Sequence, residues 1–121
     1  MLRSVPMPAD TNSNGDIFGG WLLSQMDIAG GLAAKETSRG RTATVAIDAM
    51  TFHKPVFVGD IVCCYADVKR IGNSSVTVLV QAWVIRSGYG GERIKVTEGK
   101  LTYVAIDDNG SPRTIQPHDN T

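Results

Sequence analysis

The run Asn14-Gly15-Asp16-Ile17-Phe18-Gly19-Gly20-Trp21-Leu22-Leu23-Ser24-Gln25-Met26-Asp27-Ile28-Ala29-Gly30-Gly31-Leu32-Ala33-Ala34-Lys35 reads as the one long helix of the chain. Asn14 and Asp16 offer capping chemistry at its start. Beyond Phe18 the run has few charges and apolar residues around most of its circumference, the pattern of a buried helix. At about 100° per residue, Trp21, Leu22, Met26, Ala29, Leu32 and Ala33 share a broad apolar side. Gly20, Ser24, Asp27 and Gly31 form a narrow, small and polar stripe opposite. Gly30 and Gly31 each cost about 1 kcal/mol against Ala inside a helix, so something must approach the backbone closely there. A carboxylate in mid-helix is costly unless it is paired, hydrogen-bonded or functional. Asp27 is therefore the first candidate for chemistry.

Outward from the helix, the pattern changes from helical to alternating. Leu2 to Val5 reads as a short edge strand ended by Pro6 and Pro8, and Asp10 to Asp16 as a polar loop. Gly40 is expected to cap the helix C-terminus. Thr42 to Phe52 alternates, with Ala43, Val45, Ile47 and Ala49 in phase. Ile61 to Arg70 is a second long strand, followed by a Gly72-Asn73 hairpin turn. Ser75 to Arg86 sets Val76, Val78, Val80, Ala82 and Val84 on one face. Its other face carries Leu79, Trp83 and Ile85, too apolar for plain solvent, which suggests a subunit contact. A glycine-rich loop spans Ser87 to Gly91. Arg93 to Ile106 is the last strand, with a bulge expected near Glu98-Gly99. After the Asp107-Asp108-Asn109-Gly110 turn, residues 113–121 read as a loose polar tail. The expected fold class is α+β: one long helix, then four strands in an antiparallel meander curled around it.

The 121 residues fit a single domain over 1–121, large enough to bury a core without disulfides or metal. The formal net charge is zero, so nothing global points to nucleic acid or an anionic membrane. No charged n-region precedes an apolar h-region, and no apolar run approaches about 18 residues. Cys63 and Cys64 are adjacent and face opposite sides of a strand, so both are expected reduced. The expectation is a soluble, cytoplasmic protein. His53 and His118 are isolated and lack ligand spacing, so no metal is expected. No G-x-S-x-G elbow occurs, and no Lys-Ser/Thr follows Gly88-Tyr89-Gly90-Gly91 to make a phosphate loop.

Met7-Pro8-Ala9-Asp10-Thr11-Asn12-Ser13-Asn14-Gly15-Asp16-Ile17-Phe18-Gly19-Gly20-Trp21, then Ser24-Gln25-Met26-Asp27, then Met50-Thr51-Phe52 with Pro55 and Val58-Gly59-Asp60, resemble the hotdog-fold acyl-CoA thioesterases of the YciA-like group. The resemblance runs from about Leu2 to Pro112, although the C-terminal end is short for the group. It implies a hotdog fold, an antiparallel sheet wrapped around one long central helix. It implies dimers with a continuous sheet and trimers of dimers, hence a hexamer. It implies hydrolysis of acyl-CoA to free fatty acid and coenzyme A. The group's loop Asn and helix Asp, which act together across the dimer interface, correspond to Asn12 and Asp27.

Thioester hydrolysis needs an activated water or a carboxylate nucleophile, and a place for the oxyanion. Asp27 suits either role, and Asn12 can orient water or carbonyl through its amide. Gly19 and Gly20 stand at the helix start, where free N–H groups and the positive dipole end favour an oxyanion. Gly20 is counted with Asp27 and Asn12 as catalytic, and Gly19 with Phe52 as substrate-binding. Asp16 reads as a cap. Arg70, Ser74 and Ser75 flank the hairpin turn and are candidates for the coenzyme A phosphates; an ordinary solvated turn is the competing reading. Arg41, Lys54 and Arg86 are further basic candidates. No cofactor is expected, since coenzyme A arrives as part of the substrate. Two other functions fit the same fold: a module that binds acyl-CoA without turnover, and an acyl-CoA dehydratase. The latter would want a His beside its carboxylate, and none lies between Met1 and Phe52.

Overall fold

The computed structural model describes residues 1–48, 50–86 and 91–115. Ala49, the Ser87–Gly90 part of the glycine-rich loop and residues 116–121 lie outside the described residues. Strand β1 (Leu2–Ser4) and a 3-10 turn (Pro8–Asp10) lead to helix α1 (Gly19–Ser38). Strands β2 (Thr42–Ile47), β3 (Ile61–Ile71), β4 (Ser75–Ile85) and β5 (Arg93–Ala105) follow. They form one antiparallel five-stranded sheet in the order β1-β3-β4-β5-β2. Only β3-β4-β5 is a true meander. The four-strand meander expected from sequence is corrected here: β2 crosses to the far edge and pairs with β5.

The alternation of β4 is realised in full. Val76, Val78, Val80, Ala82 and Val84 are all 0% exposed and lie under the helix. They meet Leu22, Met26, Ala29 and Ala34 of α1. Each buried Val, Leu or Met among them contributes about 1.5–3 kcal/mol, and each Ala less. The helix is buried along one side only. Ile28 and Leu32 stand 50% and 57% exposed, so Leu32 does not share the buried side expected for it. On the opposite face of β4, Trp83 donates from Nε1 to Gln81 Oε1 (3.0 Å). The Arg93 guanidinium covers the Trp83 ring at 4.7 Å, a favourable cation–π contact.

Three local expectations are corrected. First, neither Asn14 nor Asp16 caps the helix. The N-cap is Phe18, which has no side-chain oxygen, and no side chain caps the first turn. Second, the left-handed C-cap residue is Arg39 (φ 59°), not Gly40. Gly40 is small for another reason: a Cβ there would sit 2.5 Å from Arg113 Nη2. Arg113 needs that space because Nη1 donates to Ser38 O (3.1 Å) and Nε to Ile106 O (3.0 Å), placing a cation at the helix C-terminus. Ile115 is also buried, and its N–H donates to Asn73 O (2.7 Å). The loose tail expected from residue 113 thus excludes Arg113 to Ile115. Third, the β5 bulge is at Val96, not Glu98-Gly99. Ala82 pairs with Thr97 and Trp83 with Lys95, leaving Val96 as the extra residue. Gly99 instead packs under the end of the Met50 side chain, which a Cβ there would displace.

Cys63 and Cys64 are both free and buried. Burial first, and then the neighbouring Cys63, push the Cys64 thiol up from 9.0 to about 11. The folded chain therefore holds a proton that the unfolded chain releases from about pH 9 upward. Stability from this group is fully present below pH 9.0 and falls as pH rises from there to about 11. At about pH 8 the native protein should react with an aromatic disulfide reagent far more slowly than the denatured chain. Urea titrations at increasing alkaline pH should show a falling midpoint.

Candidate active site

The chain before α1 builds the first half of the site. Asn12 Oδ1 accepts the N–H groups of Asn14 (2.9 Å) and Asp16 (3.1 Å), and Asn12 N–H donates to Asp16 O (2.7 Å). Two N–H donors identify that atom as the carbonyl oxygen. The Asn12 NH2 group makes no hydrogen bond among the described residues. Phe18 N–H donates to Asp10 O (2.9 Å), and Ile17 N–H to Val56 O (2.9 Å). These bonds aim the glycine start of the helix at a cavity of about 210 Å³ lined by Asn12, Asp16, Phe18, Gly19, Phe52 and Lys54, among others. A Cβ on Gly19 would lie 3.8 Å from the Phe52 ring, and one on Gly20 would meet nothing within 4 Å. The first turn thus presents uncapped N–H groups and a positive dipole end to an open space.

Residues remote in sequence hold the facing wall. The Val96 bulge turns Val96 O toward His53 N–H (3.0 Å), and Thr97 Oγ1 donates to Thr51 O (2.7 Å). The segment that carries Phe52 is fastened there. Buried Asp60 accepts Arg86 Nε (3.1 Å) and Nη2 (3.0 Å) and also Phe57 N–H (2.9 Å). Arg86 Nη2 donates further to Pro55 O (3.2 Å). Arg86 is thereby occupied in holding the loop, whereas Lys54 lies on the cavity.

Asp27 is placed two turns beyond Gly20, about 10 Å along the axis, and does not line that cavity. Its Oδ1 accepts Thr44 Oγ1 (2.8 Å) and Tyr103 Oη (2.9 Å). Tyr103 Oη is also 2.9 Å from Asp27 O. Thr44 and Tyr103 are cross-strand partners on β2 and β5, which is why both reach the same carboxylate. Burial foremost, then the hydrogen bond to Asp27 and its charge, push the Tyr103 phenol well above the ordinary tyrosine range. It remains a donor throughout the range in which enzymes work.

The remaining candidates fall at the other end of the helix. Arg70 is exposed, and Ser74 and Ser75 are half-buried at the β3–β4 turn. Ser74 O accepts Ala105 N–H (2.8 Å), and Arg113 N–H, on the chain that caps Ser38, donates to Ala105 O (2.9 Å). A 20-residue helix is about 30 Å long. Within one chain, then, Asn12, Gly19 and Phe52 come together on the cavity, Gly20 follows Gly19 in the first turn without lining it, Asp27 stands alone with Thr44 and Tyr103, and Arg70, Ser74 and Ser75 are distant. Among the described residues no group of three or more His, Cys, Asp or Glu is placed to hold a metal. No helix there is long and apolar enough to cross a membrane.

The sequence model of the thioesterase superfamily matches residues 14–88, the span that runs from the helix start through β4. The chain belongs to this family. It is 52% identical over 117 residues to the acyl-CoA thioester hydrolase YciA of Escherichia coli K12, covering 95% of this chain and 89% of that one. The hexameric thioesterase y2039 of Yersinia pestis superposes with a TM-score of 0.90 at 55% identity, covering 97% of this chain and 94% of that one. HI0827, a hexameric broad-specificity acyl-coenzyme A thioesterase, gives a TM-score of 0.90 at 50% identity, covering 98% of this chain and 81% of that one. A hexameric hotdog-fold thioesterase of Campylobacter jejuni also matches, with a TM-score of 0.89 at 44% identity over 95% of this chain and 88% of that one. The helix on its curled antiparallel sheet is the hotdog fold.

Sequence reading of this thioesterase passed over Tyr103 and Thr44. The signal was present in Gly30-Gly31, which called for a close approach without naming the visitor. That visitor is Tyr103: a Cβ at Gly30 would lie 2.5 Å from its Oη and 3.1 Å from Val80 Cγ2, whereas one at Gly31 would lie an ordinary 3.6 Å from the ring. Gly30→Ala gains about 1 kcal/mol of helix propensity but overpacks a buried contact at about 1–3 kcal/mol. A net loss is expected. Gly31→Ala keeps the propensity gain without the clash. Urea unfolding at one fixed protein concentration should therefore rank Gly31→Ala above wild type and Gly30→Ala below it.

Proposed function

We propose that this thioesterase is an acyl-CoA thioester hydrolase that releases free fatty acid and coenzyme A. The observation that carries the reading is the uncapped glycine start of α1, open to a cavity shared by Asn12, Gly19 and Phe52. Such a helix end stabilises negative charge, and a thioester carbonyl develops that charge when attacked. The names of the similar proteins, YciA among them, point to the same substrate class.

In this mechanism the thioester carbonyl lies against the Gly19 and Gly20 N–H groups. Asn12 orients the carbonyl or the attacking water with its unpaired NH2. Asp27 either takes a proton from that water or attacks the carbonyl carbon itself. In the first route hydroxide adds to the carbonyl carbon, and collapse expels the thiolate of coenzyme A with the fatty acid formed. In the second the attack expels the thiolate and leaves a mixed anhydride, which water then hydrolyses to fatty acid and free Asp27. No cofactor takes part. Because Asp27 is off the cavity of its own chain, the reading has Asp27 of one subunit complete the site of another. We further propose that Arg70, Ser74 and Ser75, remote within one chain, meet the coenzyme A phosphates in that assembly. The assembly is a dimer at least, built up as a trimer of dimers. Its support is the water-facing apolar surface of Ile28, Leu32, Val45 and Ile47 on α1 and edge strand β2, with the hexameric assembly named for the similar structures. Two buried free thiols suit a reducing cytoplasm.

Free thiol released from a panel of acyl-CoAs tests the reaction directly, and an inactive panel would overturn it. Asp27→Asn should lower kcat by roughly 10²-fold or more with the fold intact, and Asn12→Ala should lower it through lost positioning. Joint refolding of these two variants should restore part of the activity, because mixed dimers carry both lesions in one site and neither in the other. Confirmed mixed dimers without recovery would exclude a shared site. Sedimentation should find no stable, active monomer at working concentration.

A further inference from the structure

We propose that Tyr103 and Thr44 are positioning residues that clamp one oxygen of Asp27 and leave the other for chemistry. This rests on the catalytic role proposed above for Asp27. The geometry is asymmetric. Both hydroxyls converge on Oδ1, at 2.9 and 2.8 Å, while Oδ2 accepts no hydrogen bond among the described residues. A carboxylate free to rotate about its side-chain torsions presents either oxygen in many directions. Two donors on one oxygen fix both torsions and set the free oxygen in a single direction.

The two donors are themselves held. Tyr103 is buried to 2% exposure near the C-terminal end of β5, and its oxygen is boxed in by the helix backbone at Gly30. Its alcohol proton stays in place because burial opposes the phenolate. Thr44 is the register partner of Tyr103 and precedes a bulge at Val45, where Thr44 pairs with Tyr103 but Ala46 with Thr102. That bulge turns the strand just beyond the threonine. Tyr103 also touches Asp27 O, so it references the carboxylate to the helix backbone from which it projects. Neither residue lines the cavity at the helix start, so neither is assigned contact with substrate there.

The test is a double-mutant cycle on turnover of an acyl-CoA accepted by the wild-type protein. Tyr103→Phe should lower kcat roughly 10-fold and leave KM within about twofold, because only the reacting oxygen is misdirected. Thr44→Val should lower kcat at least about threefold with the same pattern. In an Asp27→Asn background, followed with enzyme in excess over substrate, Tyr103→Phe should change the rate by less than about twofold, since a residue acting through Asp27 has nothing left to act on. A merely structural role for Tyr103 would instead multiply its loss onto that of Asp27→Asn, and would overturn the proposal. So would a folded Tyr103→Phe with wild-type kcat. If Tyr103→Phe fails to fold, Thr44→Val decides, since Thr44 is exposed; wild-type kcat there overturns the clamp. Wild-type turnover in Asp27→Asn would be a different failure, that of the catalytic assignment itself.

Discussion

The structure depends on how closely the helix can lie on the sheet, and that distance is set where the Tyr103 ring passes Gly30. A tyrosine on the helix-facing side of β5 must put its ring under the helix and its oxygen somewhere polar. A buried hydroxyl without a partner is costly. Asp27 offers its carboxylate and its carbonyl, both at 2.9 Å. In return the half-buried carboxylate gains the donors it needs. Among the described residues no buried side-chain nitrogen or oxygen is left without a partner. The glycine that weakens the helix, the aromatic ring in the core and the acid on the stripe are one arrangement with three parts.

A second arrangement forms the wall facing the helix start. It depends on a bulge at Val96 and on an ion pair, Arg86 with Asp60, whose carboxylate is almost fully buried. The bulge turns Val96 O out to accept His53 N–H, and the Thr97 hydroxyl beside it donates to Thr51 O, so the Thr51–His53 segment is held there. The bidentate guanidinium does the same for Pro55 and the Phe57–Asp60 turn. Strand irregularity is therefore what carries Phe52 and Lys54 to the cavity.

A single chain of this thioesterase leaves apolar surface uncovered. It presents aliphatic side chains of α1 and β2 to water, leaves β2 as an open edge, and holds Asp27 off the cavity at the helix start. Open edges and apolar faces favour self-association. The hexameric assemblies of the similar structures are one way of covering such surfaces.

Periodicity alone determined much of this protein. The 3.6-residue pattern marked α1, and the strict alternation of β4 named five of its core residues, because local period maps directly onto one buried face. The motif around Asn12, Gly19 and Asp27 likewise pointed to the hotdog thioesterases from sequence alone. Contacts between segments far apart in sequence were decided only in three dimensions. The crossing of β2 to β5 reflects which edge the sheet leaves open, and a strand's pattern does not say which neighbour it will take. Gly40 turned out to be small not as the left-handed cap, which is Arg39, but because Arg113, more than seventy residues away, fills the space beside it. The bulge fell at Val96 because two successive buried residues were needed there, while Gly99 made room for Met50. Tyr103 and Thr44 were silent in the sequence for the same reason: a hydroxyl on a strand acquires a role only when the register sets it against a particular carboxylate.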